Sequence, residues 1–182
     1  MNESTMPTRT FARNALDLRP LAPFETDAAA PTGIAAGLNG VLADVFSLYM
    51  KTKNFHWHVS GPHFRDYHVM FGEQAAQLHA MTDPLAERVR KTGSTTLRSI
   101  GHIARSQHMI DNDAEYVDPS DMLAELRDDN RKVADRLRVV HALCSAQRDI
   151  ASASLIEGWL DETEQRIWFL YEAGKPADLD GR

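Results

Sequence analysis

Helical periodicity dominates the chain between about residue 32 and residue 173. Apolar residues recur there at steps of three and four, which is the spacing of one face of an α-helix. The first such stripe consists of Ile34, Leu38, Val41, Leu42, Val45, Phe46 and Tyr49. No segment shows the strict alternation that is typical of a β-strand, and no internal repeat is visible. The pattern therefore predicts an all-α chain.

Capping residues, glycine and proline divide this region into helices. Thr32 is expected to cap the first helix, and Gly61-Pro62 and Gly93 are expected to end the first and the second. The predicted long helices cover about 32–58, 64–91, 119–145 and 149–173, with a short helix at about 95–106. Because four long helices with one long crossover form a compact bundle, we expect a single four-helix bundle over residues 32–174.

Pro84 leaves two arrangements open for the second helix. Asp83-Pro84 is a good helix start, so the region can be two helices. Alternatively, Pro84 lies inside one long helix and kinks it. The sequence does not decide between the two.

The two ends of the chain lack a helical period. Residues 1–31 contain four prolines and a nearly balanced set of charges, and we expect a flexible N-terminal tail. Residues 175–182 are expected to form a short C-terminal tail. A DNA-contacting arm is the alternative for residues 1–31, but three arginines and no lysine give a weak electrostatic grip.

Composition limits the classes of function. The 182 residues fit one domain, and a net charge of -6 argues against a generally basic nucleic-acid-binding surface. The single cysteine, Cys144, excludes an intrachain disulfide and suits a reducing compartment. We find no apolar run near the roughly 20 residues that span a bilayer, and no secretory signal. The expected location is the cytoplasm, without a membrane partner.

The stretch FHWHVSGPHFRDYH, residues 55–68, holds four of the eight histidines. Lys53 and His56 continue the apolar stripe of the first helix, so we expect both on its packed face. On the second helix, His68, Asp83 and Glu87 are spaced as potential metal ligands. Each has an ordinary explanation when taken alone, since a single histidine usually belongs to the core and single acids usually lie on the helix surface. The combination is what favours a metal site.

The spacing of these ligands predicts a site shared between two subunits. His68 and Asp83 are fifteen residues apart, which is roughly 22 Å along one helix but nearly the same face. They cannot bind one ion within one straight helix. A second copy packed antiparallel about a two-fold axis near Ala75-Ala76 brings His68 of one chain to the acids of the other. No histidine has glutamate three residues before it, which argues against a di-iron centre inside one chain.

Residues 53–93 resemble the signature of the Dps family, the ferritin-like mini-ferritins of starved bacteria. The similar features are His-Trp before Gly-Pro-x-Phe, a histidine twelve residues after the first, and Asp-x-x-x-Glu with Arg before Gly. The resemblance continues through TLRSIGHI, the Asp-Pro helix start and WLDETEQRIWFLYE. It covers roughly residues 33–173.

This resemblance implies a ferritin-like fold and a hollow homo-dodecamer built from two-fold dimers. Such a protein binds Fe²⁺, oxidises it preferentially with hydrogen peroxide, and stores the ferric product in its cavity, which protects DNA. By matching positions, the expected iron ligands are His56 and His68 from one subunit, with Asp83 and Glu87 from its partner. Lys53 and Trp57 match residues beside the site. His58 and His63 match no functional position, and we interpret them as turn or surface residues.

Gly72 departs from the family pattern. The family usually has aspartate four residues after the second histidine, so its absence is expected to weaken the second iron position. His79 mirrors residue 72 in the two-fold register and is one candidate replacement; an incomplete site is the other. Two further functions therefore stay open: a DNA-binding, nucleoid-compacting shell with little oxidation activity, and a bundle that only assembles.

Overall fold

The computed structural model describes residues 31–175, and this region contains five α-helices and no strand. They are α1 (Pro31–His58), α2 (Phe64–Lys91), α3 (Ile100–Ser106), α4 (Pro119–Ala146) and α5 (Ile150–Ala173). The predicted all-α, four-helix bundle with a short helix in the crossover is confirmed. The predicted tails, 1–31 and 175–182, fall almost entirely outside the described residues; Pro31 is the first residue of α1.

Two antiparallel hairpins make up the bundle. The α1–α2 hairpin turns at Gly61, whose φ of +93° suits glycine, and the α4–α5 hairpin turns at Gln147–Asp149. Helix α1 packs against α2 and α4, while α5 packs against α4 and α2. The core consists of fully buried apolar side chains from all four long helices, including Leu38, Leu42, Leu48, Phe55, Phe71, Leu78, Leu85, Leu126, Leu137, Ile156 and Leu170.

Helix α1 lies at the centre of this packing. Between Gly33 and His58 it is long and apolar enough, by length and composition alone, to cross a membrane. This corrects the expectation that no apolar run approaches that length. Many of its apolar side chains, among them Leu38, Val41, Leu42 and Leu48, are buried against the other helices, as in the core helix of a bundle.

Helix α2 is one continuous helix, which decides between the two arrangements left open by the sequence. Pro84 lies inside it, and Asp83 is an interior helical residue rather than a cap. The helix ends at Thr92–Gly93, where Gly93 has a φ of +83°. Continuity fixes the separation of His68 and Asp83 at fifteen residues of helix, or roughly 22 Å.

Polar side chains on α1 form hydrogen bonds with the connection between α2 and α4, residues 92–118, which contains α3. Asn39 donates to the carbonyl of Thr95 at 2.9 Å and accepts from the Thr96 hydroxyl. The buried Asp44 accepts from the main-chain N–H of His108 at 2.6 Å. The short helix starts only at Ile100, later than the predicted residue 95, where the side chain of Ser99 caps it by accepting a hydrogen bond from the main-chain N–H of His102.

The buried lysine of α1 is Lys51, not Lys53. Lys51 is 6% exposed and bonds Asp129 and Glu125 of α4, each at 2.6 Å. Burial alone lowers the pKa of Lys51, but the hydrogen bonds and charges of Asp129 and Glu125 outweigh it and raise the pKa above its ordinary value. Lys53 lies two residues further along α1 and is only half-buried. The prediction that Lys53 lies on the packed face of the helix is therefore wrong.

Replacing Lys51 with methionine is expected to lower the free energy of unfolding by about 3 kcal/mol, because Asp129 loses its buried partner and keeps only Lys132. Urea denaturation at one protein concentration measures this change. Arg138→Met removes a cation from exposed pairs with Asp135 and Glu164 and serves as the control, with a nearly unchanged midpoint. Equal effects of the two substitutions would contradict the account.

Candidate metal centre

The end of α1 and the start of α2 bring His56 and His68 into direct contact. The Gly61 turn reverses the chain, so residues twelve positions apart face each other across the hairpin. The two imidazole rings are stacked, with centroids 3.8 Å apart and planes 23° from parallel. The sequence predicted both as ligands, and the structure places them side by side within one chain.

Each imidazole donates a hydrogen bond to the main chain of the other residue. Nδ1 of His56 lies 2.6 Å from the His68 carbonyl, and Nδ1 of His68 lies 2.8 Å from the His56 carbonyl. A carbonyl only accepts, so each Nδ1 carries the proton and each Nε2 keeps its lone pair. A metal-ligating histidine usually has its second nitrogen anchored in this way. The pair therefore presents two oriented nitrogen ligands.

The surroundings of His56 lower its pKa and so favour its neutral form. Burial lowers the pKa of His56, and the positive charge of Lys53 and the neighbouring His68 lower it further, against the raising effect of the bond to the His68 carbonyl. A neutral imidazole is the form that binds a metal ion. The surroundings therefore favour the form that acts as a ligand.

Gly72 leaves room for the His56 ring. A Cβ atom added at residue 72 would lie 3.1 Å from Cε1 and 3.2 Å from Nδ1 of His56, closer than most real contacts of that kind. The ring thus occupies the surface of α2 one turn beyond His68, where a longer side chain would begin. Gly72 is the position at which the sequence departs from the family pattern, and this packing gives it a local structural role.

The predicted acidic ligands lie on the same helix but far from the histidines. Asp83 and Glu87 are exposed on α2, and Glu87 accepts from Lys91 at 3.0 Å. Within residues 31–175 of one chain, no three His, Cys, Asp or Glu side chains come together as a metal site. One subunit thus supplies either the two imidazoles or the two carboxylates of a predicted site, but not all four.

Lys53 and Trp57, the predicted residues beside the site, contact each other. Nζ of Lys53 lies 5.5 Å from the centroid of the Trp57 ring, and the indole is 56% exposed. His79 is exposed, and its ring lies 5.3 Å from that of Tyr49 in the same chain. The hypothesis that His79 replaces the ligand absent at residue 72 therefore stays a prediction.

Sequence reasoning missed a second polar cluster, inside the bundle. Arg166 is 1% exposed; its Nε donates to Asn130 and its Nη2 donates to Thr163, both at 2.8 Å. Burial lowers the pKa of Arg166 to about 10. Arg166 follows the apolar spacing of α5 between Thr163 and Leu170, and this spacing is the only sequence signal that marks it as buried.

A ferritin-like domain model matches residues 35–174. An uncharacterized low temperature-induced protein of Nostoc sp. is 30% identical over 152 residues, which cover 82% of this chain and 85% of that protein. A DNA protection during starvation protein of Brevibacillus brevis is 26% identical over 75% of this chain and 91% of its own length. Among solved structures, an archaeal Dps homologue from Halobacterium salinarum superposes with a TM-score of 0.83 at 26% identity, covering 97% and 98% of the two chains.

Replacing Gly72 with alanine is expected to displace the His56 ring and weaken its bond to the His68 carbonyl, because the new Cβ would stand 3.1 Å from the ring. Histidine ¹H–¹⁵N spectra measure this as shifts of the Nδ1 signals of His56 and His68.

Gly158→Ala is the matched control, since nothing lies within 4 Å of a Cβ at this exposed helical glycine. It is expected to add up to about 1 kcal/mol of stability and to leave the histidine signals unchanged. Unshifted His56 signals in the Gly72 variant would show that the ring does not rest on residue 72.

Proposed function

Because the chain belongs to the Dps family of ferritin-like proteins, we propose that it sequesters iron in a shell and oxidises Fe²⁺ at sites shared between two subunits. The observation that carries the proposal is the His56–His68 pair, in which both Nδ1 atoms are anchored and both Nε2 atoms are free. The shell is proposed to be a homo-dodecamer of two-fold dimers in the cytoplasm.

The positions of the ligands on α2 support the two-fold arrangement. His68 and Asp83 are equidistant from the middle of the helix, at Ala75-Ala76, so an antiparallel copy places each opposite the other. Ala76 and Ala80 are exposed and small, which allows the two α2 helices to approach closely. In this arrangement, Asp83 and Glu87 of the partner subunit complete the set begun by His56 and His68.

An apolar surface beside the histidines fits burial by the second copy. Met50 and Trp57 on α1 and Ile100 on α3 are each more than half exposed. Together with Tyr49 and His79 they line an open groove of about 760 Å³ between α1 and the connection that contains α3. A contiguous exposed patch of this kind is typical of a protein interface, and the mirrored ligands make a second copy of this chain the partner that fits it.

The donor set suits the oxidation of ferrous iron. Imidazole nitrogens and carboxylates together bind Fe²⁺, and the carboxylates favour the more highly charged ferric product. In the overall stoichiometry, which does not require both ions to occupy one site, two Fe²⁺ ions each give up one electron, and one hydrogen peroxide takes up both electrons with two protons to form two water molecules. Protection of DNA follows because free Fe²⁺ and peroxide are removed together.

Lys53 and Trp57 are proposed to act beside this reaction. The charge of Lys53 favours the neutral, ligating form of His56. The exposed indole of Trp57, next to Lys53, is placed to give up an electron if an oxidising species escapes the iron. Neither residue is proposed as a ligand.

A DNA-compacting shell is the second candidate, and it depends on residues 1–31, which lie almost wholly outside the described part of the chain. A gel shift that is sensitive to salt and lost on deletion of residues 1–31 would favour it. The net charge of -6 works against it, so the iron function is the one we propose.

The test is peroxide-driven oxidation of Fe²⁺ by the assembled full-length protein, followed by ferric absorbance without oxygen. The native protein is expected to oxidise iron rapidly, and His56→Ala is expected to slow the initial rate more than about tenfold because a ligand is lost. His63→Ala, at an exposed turn position without a capping bond, is the control and should retain the native rate. A native rate equal to that of buffer, or equal losses in both variants, would contradict the proposal.

A further inference from the structure

We infer that each shared site holds one divalent metal ion rather than a pair of ions. This inference rests on the proposed function, since it concerns the same site, formed by His56 and His68 with Asp83 and Glu87 of the partner subunit. The number of ions follows from the number of ligand atoms, the space beside them and their charge.

The histidine half of the site offers no third ligand. His68 is followed one turn later by Gly72, which has no side chain, and preceded one turn earlier by Phe64, whose ring lies 5.2 Å from that of His68. Glu73 is the nearest acid in sequence, but it lies about 100° around the helix from Gly72 and is exposed. This half therefore contributes two nitrogen atoms.

The space where a third ligand would begin is already filled. The His56 ring lies 3.1 to 3.2 Å from the position of a Cβ at residue 72. The same ring is anchored there by its 2.6 Å bond to the His68 carbonyl. A second ion on this side of the pair would have to displace the anchored ring and would find no oxygen ligand behind it.

The charges also match a single ion. Both imidazoles bind as neutral ligands, so the charge of the site comes from two carboxylates, which balance one divalent cation. A second divalent cation would leave two uncompensated positive charges near the ammonium group of Lys53. A set of two nitrogen and two carboxylate ligands is sufficient for the four-coordinate binding of one ion such as Zn²⁺, and Co²⁺ is a spectroscopic probe of such a site.

The experiment is a titration of the assembled, full-length protein with Co²⁺, which needs no oxidation step. Calorimetry gives the number of ions bound, and the visible spectrum of Co²⁺ reports coordination by protein ligands. The native protein is expected to bind one ion per subunit, because a two-fold dimer has two sites. Gly72→Asp is expected to raise this number toward two, since it adds a carboxylate one turn after His68 once the His56 ring has moved by the few tenths of an ångström that the new Cβ requires.

Gly158→Asp is the matched control, because it makes the same change on α5 where nothing lies within 4 Å. The Gly158→Asp variant is expected to bind one Co²⁺ ion per subunit, as the native protein does. Two ions per subunit in the native protein, both lost in Asp83→Ala, would overturn the inference while leaving the shared site intact. Failure of Co²⁺ to bind, or binding that is unchanged in both His56→Ala and Asp83→Ala, would instead overturn the proposed site itself.

A ferric sample gives a second readout. After oxidation, a single high-spin ferric ion is visible by electron paramagnetic resonance, whereas an oxygen-bridged ferric pair is silent. With one iron added per subunit, the native protein is expected to give the mononuclear signal in nearly full yield. A silent sample with the iron bound to protein would overturn the inference.

Discussion

The continuity of α2 is the constraint on which the account of this protein depends. One unbroken helix from Phe64 to Lys91 carries His68 near its start and Asp83 and Glu87 near its end. The backbone hydrogen bonds of the helix fix their separation at roughly 22 Å, and no rotation of side chains closes that gap. In the proposed site these residues can therefore meet only across two copies of the chain, so the proposed metal binding requires a second subunit.

The hairpin with α1 adds the second ligand and its orientation. The glycine turn at Gly61 sets the register in which His56 and His68 exchange hydrogen bonds with each other's carbonyls. Gly72 permits that exchange by leaving the surface of α2 open to the His56 ring. The same absence of a side chain leaves position 72 without a carboxylate, so in the proposed site a single residue affects both the geometry of the histidines and the number of available ligands.

Much of the fold was predictable because its signals are local. Apolar spacing, Asp118-Pro119 and the glycines at 61 and 93 marked the long helices to within a residue or two, although α1 begins at Pro31, one residue before the expected cap, Thr32. The start of α3 was placed too early: Ser99 caps the helix, while Thr95 and Thr96 bond Asn39, which lies 56 residues away from Thr95. Such long-range bonds leave no periodic signal in the sequence.

Buried charges were the main failure of sequence reasoning. Lys51 and Lys53 are chemically identical, and only the carboxylates of α4 decide which one is buried. Arg166 is likewise buried in the core, where Asn130 and Thr163 accept hydrogen bonds from its guanidinium group. The histidine pair was predicted from motif and spacing. The reciprocal hydrogen bonds that orient the two rings depend on the turn at Gly61 and on the space at Gly72, and only the three-dimensional structure shows these two features together.

Complementation between subunits tests the central claim most directly. One variant carries His56→Ala and His68→Ala, another carries Asp83→Ala and Glu87→Ala, and both are assembled alone or together in equal amounts. Neither variant alone has a complete site, but random mixing restores about a quarter of the sites if the ligands come from two subunits. We expect Co²⁺ binding to return only in the mixed assemblies. Mixed assemblies that bind no more metal than the two variants assembled separately would contradict a site shared between subunits.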